Sequence, residues 1–363
     1  KDICTACERL ELKGFVKEHL LVVSLESIYV PLTAQGAGRA GGLGEGMPLL
    51  RAAEGAEEVP LTDLIARHPH LVLVGEAGSG KTTFLKYVGL TAAHTCAGRG
   101  TGGDGWLPDP PPLPLFLPLH GFGLFLAGQE MADRESPSPD LLRDYIVHHL
   151  RHLDLPEGWI AGRLEAGQVL ILLDGLDEVA RFEDRRFIAE LVTRFADFYD
   201  RCRVVVTTRP QGYEGAAQLG GDFERRDINP LGWPEDIRTF VHRWNETIIR
   251  REEGGRLSAR GQRRVSENVE NLMARLEAAP SVRELANNPL LLTVMAIVHY
   301  NVGTLPERRA DLHDAATELL LGWDKRMGRQ ALAPPAWLDA LSATQRRIHL
   351  EELAFDFQEQ REL

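Results

Sequence analysis

Between Leu71 and Leu85 the chain reads LVLVGEAGSGKTTFL, and no other stretch narrows the possible folds as tightly. Four apolar residues, Leu71 to Val74, suit a buried strand. Gly75, Glu76, Ala77, Gly78, Ser79 and Gly80 then turn the chain before Lys81, Thr82 and Thr83 open an apolar-periodic helix. The spacing satisfies G-x-x-x-x-G-K-[ST], in the strand–turn–helix context that a phosphate-binding loop requires. Glycines at 75, 78 and 80 allow positive φ and bring successive N–H groups near a phosphate. The helix N-terminus adds unpaired N–H groups and a dipole that favours anions. In such a loop Lys81 reaches the β- and γ-phosphates, and the Thr82 hydroxyl ligates magnesium. The alternative is a Gly-rich turn with a chance Lys-Thr, which the flanking pattern disfavours. The loop by itself indicates nucleotide binding, not which nucleotide or which task.

At 363 residues the chain is long for one core, so two or three packed units are expected. A hydrophobic share of 44% with 26% charged residues is that of a soluble globular protein. The longest apolar run, around Leu290–Val298, is too short to span a membrane. The net charge of −12 argues against a general nucleic-acid-coating role, though not against a local basic groove. The opening KDICTACERL has no signal-peptide pattern and no initiator Met, from which we expect a piece of a longer polypeptide. Four cysteines make no disulfide framework. Cys4 and Cys7 form a single C-x-x-C, read as two incidental thiols rather than a zinc half-site, and Cys96 and Cys202 as buried small hydrophobes. A reduced, cytoplasmic setting follows.

Along the chain, Glu8–Val23 reads as mixed helical, and SIYVPL (Ser27–Leu32) as a short extended piece. Ala34–Gly46 reads as a flexible loop, and Pro60–Arg67 as a short helix with Thr62 as its cap. Gly98–Pro112 is a Gly- and Pro-rich loop. Leu113–Leu119 (LPLFLPL) is a strand whose prolines place it at a sheet edge. Helices are expected at Leu141–Leu150, Trp159–Glu165 and Phe187–Tyr199. Val169–Leu173 and Arg203–Thr208 are apolar enough for buried strands, and Phe223–Ile228 is a weaker one. Strands alternating with helices imply a parallel sheet with right-handed crossovers. From Trp233 strand signals vanish, and helices are expected at Trp233–Ile249, Gln262–Ala278, Val282–His299 and Ala310–Arg326. The fold class is therefore α/β, a parallel sheet followed by a helical part, with no internal repeat.

Two further stretches complete a candidate site. Val169–Glu178 (VLILLDGLDE) delivers Asp174 at the carboxyl end of a strand, where open α/β sheets bind ligands. Beside a phosphate loop such a carboxylate holds magnesium, together with the Thr82 hydroxyl. Gly175 permits a tight turn returning Asp177 and Glu178 toward the γ-phosphate; Glu178 is the first candidate to activate the attacking water, Asp177 the second. A solvated acidic turn is the bland alternative. Arg203–Pro210 (RVVVTTRP) ends at the same sheet edge, where Arg209 could sense the γ-phosphate and Thr208 hydrogen-bond it. The alternative for Arg209 is a surface arginine.

GEAGSGKTT, LLDGLDE and VVVTTRP, in this order, resemble the NACHT family of STAND-class, AAA+-related P-loop NTPases, whose mark is the doubled acid of D-G-x-D-E. SIYVPL, LPLFLPL, NNPLLLTVM (Asn287–Met295) and LPERRADLHDAATELLLGWDKR (Leu305–Arg326) extend the resemblance over roughly residues 8 to 360. It implies a 5-1-4-3-2 strand order, ATP or ADP with Mg2+ as ligands, and Pro289 as an adenine contact, with Ile28–Val30 passing the base on its other side. The implied organisation is a lead-in segment at 1–59, a nucleotide-binding domain at 60–232, a helical domain at 233–330 and the start of a winged-helix domain at 331–363. Leu341–Phe357 matches the opening helices of that last domain; its ADP-holding histidine has no match here. His349, His120, His148, His149 and His299 carry no motif and read as partly exposed helix histidines.

The resemblance implies a slow, nucleotide-switched signalling ATPase of the kind found in antiphage defence and innate immunity. ATP would drive homo-oligomerisation, with effector and sensor domains outside this chain and a phage or pathogen protein as possible trigger. One alternative is a turning AAA+ remodeller taking an arginine from a neighbouring subunit, with Arg181, Arg185 or Arg186 nominated by position. The other is a non-hydrolysing, nucleotide-stabilised scaffold, against which Asp177 and Glu178 weigh. No N-K-x-D guanine reader appears, which disfavours a GTPase, and the doubled acid disfavours a small-molecule kinase.

Overall fold

The computed structural model describes residues 9–16, 19–35, 58–99, 105–127 and 137–321, and positions 342, 345, 347, 348 and 352. It divides into two compact units, one built on Tyr29–Pro230, the other on Arg9–Ile28 and residues from Leu231 onward. Cys4, Cys7, His349, most of Ala34–Gly46 and nearly all of the 331–363 segment lie outside the described residues.

In the chain's first described segment, β1 (Arg9–Val16) pairs antiparallel with β2 (His19–Ser24), and α1 (Leu25–Ile28) follows. The expectation of a helix over Glu8–Val23 is thus corrected. Arg9-Leu10-Glu11-Leu12-Lys13 alternates polar and apolar with period two, and the Val22-Val23 pair suits a strand. Ser27 and Ile28 belong to α1, so the extended piece begins only at Tyr29. These residues group with the second unit.

The first unit opens with β3 (Thr33–Gln35) antiparallel to β4 (Glu58–Pro60), then α2 (Leu61–Arg67). Thr62 is not the cap: the helix starts behind Pro60, with no side-chain cap bond. The sheet proper has β5 (His70–Val74), β6 (Leu113–Pro118), β7 (Val169–Asp174), β8 (Arg203–Thr208) and β9 (Glu224–Asp227). All its pairings are parallel, and the spatial order is β6-β7-β8-β5-β9. Numbered from the phosphate-loop strand, this is 5-1-4-3-2, the expected order of an AAA+-like P-loop sheet. β5 and β7 are buried along their whole length, as their unbroken apolar runs require. β6, with prolines at 114 and 118, has β7 as its one neighbour among the described residues and lies at the edge of their sheet.

Between these strands lie α3 (Lys81–Cys96), α4 (Leu119–Ala127), α5 (Pro139–Leu150), α6 (Trp159–Glu165) and α7 (Phe182–Phe198). α4 has no counterpart among the expected helices. α7 buries Ile188, Leu191, Val192 and Phe195 at helical spacing against a core that includes Val72, Ile171 and Val204. Cys202 is fully buried, but Cys96, at the end of α3, is exposed, which corrects its reading as a core residue.

In the second unit, α8 (Glu235–Glu252) and α9 (Ala259–Ala278) pack together, joined by the Asn268 amide donating to Asn245 Oδ1 at 3.0 Å. The single helix expected over Val282–His299 is two, α10 (Pro280–Ala286) and α11 (Pro289–Val302). Pro289 has no N–H to continue the first helix, and Asn288 Oδ1 caps the second by accepting from the N–H groups of Leu290 and Leu291. His299 is buried rather than half-exposed, with Nε2 3.1 Å from Asn271 Oδ1. α12 (Arg309–Leu321) follows, and no strand comes after β9 among the described residues. No described helix is long and apolar enough to cross a membrane.

Candidate functional site

Strand register assembles the site. Val74 pairs with Thr208, and Leu173 with Val206, so the ends of β5, β7 and β8 lie at one edge of the sheet. The Gly75 N–H continues the ladder by donating to Thr208 O at 3.1 Å. The loop then folds into the mouth of α3. Gly80 caps that helix at φ 93°, a conformation costly for any residue with a Cβ. Gly75, expected to need positive φ, does not adopt it. Its requirement is closeness: a Cβ there would come within 2.5 Å of Ser79 Oγ.

Lys81 opens α3, and its Nζ donates to Gly75 O at 2.6 Å and Glu76 O at 2.9 Å. Burial pushes the Lys81 ammonium below its ordinary value and Arg209 adds to this, while Asp177, Asp174 and Glu76 oppose it. The lysine thus sits among the ends of all three strands. Thr82 Oγ1 donates to Asp174 Oδ2 at 2.8 Å, across 92 residues of sequence. Asp174 is 7% exposed, and its Oδ1 accepts from Thr207 Oγ1 at 2.7 Å.

After Asp174, Gly175 turns at φ 76°, its carbonyl accepts from the Glu178 N–H at 3.0 Å, and a 3-10 turn spans Leu176–Glu178. That positive φ is what requires glycine at 175; an added Cβ would also crowd the Glu178 side chain, which could move aside. The two acids of the turn diverge. Glu178 is half-exposed, with Oε2 3.6 Å from His120 Nδ1 at the start of α4. Asp177 is mostly buried and grips Arg209 twice: Oδ1 accepts the Arg209 peptide N–H at 3.0 Å, and Oδ2 pairs with Arg209 Nε at 2.9 Å.

Lys81, Thr82, Asp174, Asp177 and Arg209 are therefore brought together. Thr208 is not placed as expected: it is fully buried, and its hydroxyl donates to Arg209 O at 3.2 Å. Pro289 belongs to the second unit, at the first turn of α11. Arg185, one of the nominated arginines, donates to Val179 O at 3.1 Å within its own chain, and Arg181 is largely exposed. Sequence reasoning missed Thr207 and His120. The signal for Thr207 was present: it is the first polar residue after the apolar run Val204–Val206.

The residues suit a phosphate chain and its metal. The Ser79 hydroxyl is buried in the loop with no hydrogen-bond partner, and a buried orphan of this kind calls for one. A hydroxyl has one proton and two lone pairs. Because Thr82 gives its proton to Asp174, its oxygen keeps lone pairs for a hard cation, the oxygen chemistry that magnesium takes.

No protein-family model and no curated protein matches the sequence. Solved structures that match include domain III of the Thermotoga maritima replication initiation protein DnaA, at 15% identity over 72% of this chain and 89% of that chain, with a TM-score of 0.32. A second is the replication initiator DnaA bound to AMPPCP and single-stranded DNA, at 13% identity over 72% of this chain and 74% of that chain, with a TM-score of 0.27. Likenesses this distant add nothing to the fold, which stands on its own sheet order.

Proposed function

We propose that this chain is the nucleotide-binding module of a switch-like ATPase that takes ATP or ADP with magnesium and hydrolyses ATP slowly. The observation that carries the reading is the 2.8 Å bond between Thr82 and Asp174, which joins the phosphate loop to the acidic strand end. Adenine rather than guanine follows from the missing N-K-x-D motif and from the NACHT resemblance, in which Pro289 contacts the base. The same resemblance supports the switching role, ATP-dependent self-association, a cytoplasmic setting, attached effector and sensor domains, and a winged-helix start at 331–363.

In this reading N–H groups of the loop and of the first turn of α3 bind the phosphates, the Ser79 N–H being held by Glu76 O, and Lys81 leaves the loop carbonyls to pair with the β,γ-oxygens. Thr82 and Asp174 would hold magnesium, which when bound supplies charge neutralisation on the transferring phosphate. Glu178 orients a water and receives its proton. Arg209 is stored on Asp177 and exchanges that carboxylate for the γ-phosphate, so the phosphate count changes which partner the arginine keeps.

The test is nucleotide titration with hydrolysis measured at several protein concentrations. Lys81→Ala should lose binding, and Glu178→Gln should bind normally while turnover falls by roughly a hundredfold or more. Intact binding in Lys81→Ala would remove the site assignment, and unchanged turnover in Glu178→Gln would remove the base. Turnover independent of protein concentration would leave the ATPase standing without self-association.

A further inference from the structure

We propose that Thr207 is the positioning residue of this site, one hydroxyl that fixes both the metal-side carboxylate and the turn carrying Asp177 and Glu178. The inference rests on the reading of Asp174 as the carboxylate facing a nucleotide-bound cation.

Thr207 is the next-to-last residue of β8 and is fully buried. Its Oγ1 donates to Asp174 Oδ1 at 2.7 Å and accepts the Gly175 N–H at 3.0 Å. A hydroxyl has a single proton, so these two bonds settle its orientation. The Asp174 carboxylate is then held at both ends, Oδ1 by Thr207 in the sheet and Oδ2 by Thr82 at the loop. It cannot rotate to offer another oxygen geometry without breaking a buried bond.

The second bond works on the turn. Gly175 is the residue whose left-handed backbone starts the 3-10 turn, and its carbonyl accepts from the Glu178 N–H. By fixing Gly175 N–H, Thr207 fixes where that turn leaves the strand. Thr207 would touch neither phosphate nor metal; it acts through Asp174 and Gly175, as outer partners of metal ligands do.

Valine has the shape of threonine without the hydroxyl, and serine keeps the hydroxyl without the methyl. The test titrates MgCl2 into the protein with fluorescent mant-ATP, alongside mant-ATP binding in EDTA. Thr207→Val should raise the MgCl2 midpoint roughly tenfold to a hundredfold, leave binding in EDTA within about twofold, and lower turnover. Thr207→Ser should restore the midpoint. Asp174→Asn is the control for the underlying reading. If Asp174→Asn shifts the midpoint and Thr207→Val does not, the proposal is overturned and the metal assignment stands. If Asp174→Asn shifts nothing, the metal assignment itself fails. A serine variant that behaves like Asp174→Asn overturns the proposal as well, because the hydroxyl would then be present without effect. Should the valine variant not fold, Thr207→Ala, which adds no bulk, takes its place with the same two outcomes.

Discussion

The two-point grip of Asp177 on Arg209 predicts an asymmetry between its partners. Arg209→Ala removes only the ion pair from Nε to Oδ2, and that guanidinium is 48% exposed. Ion pairs at such exposure are worth about 0.2–1 kcal/mol. Asp177→Ala removes the same pair and also the acceptor of the Arg209 peptide N–H, which Arg209→Ala retains. A hydrogen bond to a charged group is worth about 1.5–3 kcal/mol, here at the low end because the bond lies near solvent. The expected losses are therefore about 2 kcal/mol for Asp177→Ala and about 0.5 kcal/mol for Arg209→Ala. In a unit of this size those figures correspond to roughly 4–8 °C and 1–2 °C in Tm.

Urea unfolding of both single variants and the double variant measures the terms separately. The coupling energy should equal the ion-pair share alone, below about 1 kcal/mol. Asp177→Asn should fall between, since its amide oxygen still accepts the peptide N–H. If Arg209→Ala costs as much as Asp177→Ala, the carboxylate is not holding the backbone, and the two-point grip is refuted; if Arg209→Ala costs nothing and the coupling energy is zero, the account of a stored arginine is refuted.

Burial holds His70, at the start of β5, below its ordinary value, although Cys202, Asp222, Asp197 and Asp200 pull it upward; His299 is lowered by burial and Arg275. The unfolded chain then binds more protons than the folded one between the lowered values and the ordinary value of about 6.5. Stability should rise with pH through that window and fall on acidification, and His70→Phe should flatten the slope of Tm against pH; an unchanged slope would refute the assignment. The cysteines should separate in alkylation mapped by mass spectrometry. Cys96 is exposed and should label in the native protein, whereas Cys202, buried and pushed up to about 11, should label only on unfolding. Equal labelling would contradict the burial.

The sheet was legible because its strands are unmixed signals. LVLV, VLILL and the VVV of Val204–Val206 are apolar throughout, so length and flanking turns decide between strand and helix. The prolines of LPLFLPL placed β6 at the edge for a reason that acts on every chain, a missing N–H. The residues before the sheet were harder: HLLVVS satisfies a strand and tolerates a helix, and its partner RLELKGFV is what decides. The break at Pro289 was readable in principle from Asn288-Pro289, a cap followed by a residue that cannot continue a preceding helix. The site's acids were legible by motif, but not their division of labour. Asp177 and Glu178 are adjacent letters, and only the Gly175 turn sends one beneath Arg209 and the other beside His120.

The same limit explains the misplaced threonine and yields a final prediction. Thr207 and Thr208 are neighbours in β8, and a strand sends neighbours to opposite faces. Which of them meets Asp174 depends on the register between β7 and β8, and Leu173 opposite Val206 brings Asp174 level with Thr207. The same substitution at the two positions should therefore behave differently. Thr207→Val strands a carboxylate oxygen and a peptide N–H in the interior, at about 1–3 kcal/mol each. Thr208→Val loses only a long bond to the neighbouring Arg209 carbonyl and keeps its packing, at about 0.5 kcal/mol or less. Equilibrium unfolding should separate the pair by at least about 1.5 kcal/mol, and the magnesium midpoint of Thr208→Val should stay with the unmutated protein. Equal losses at both positions would mean that the register, and with it the meeting of the three strand ends, is misread.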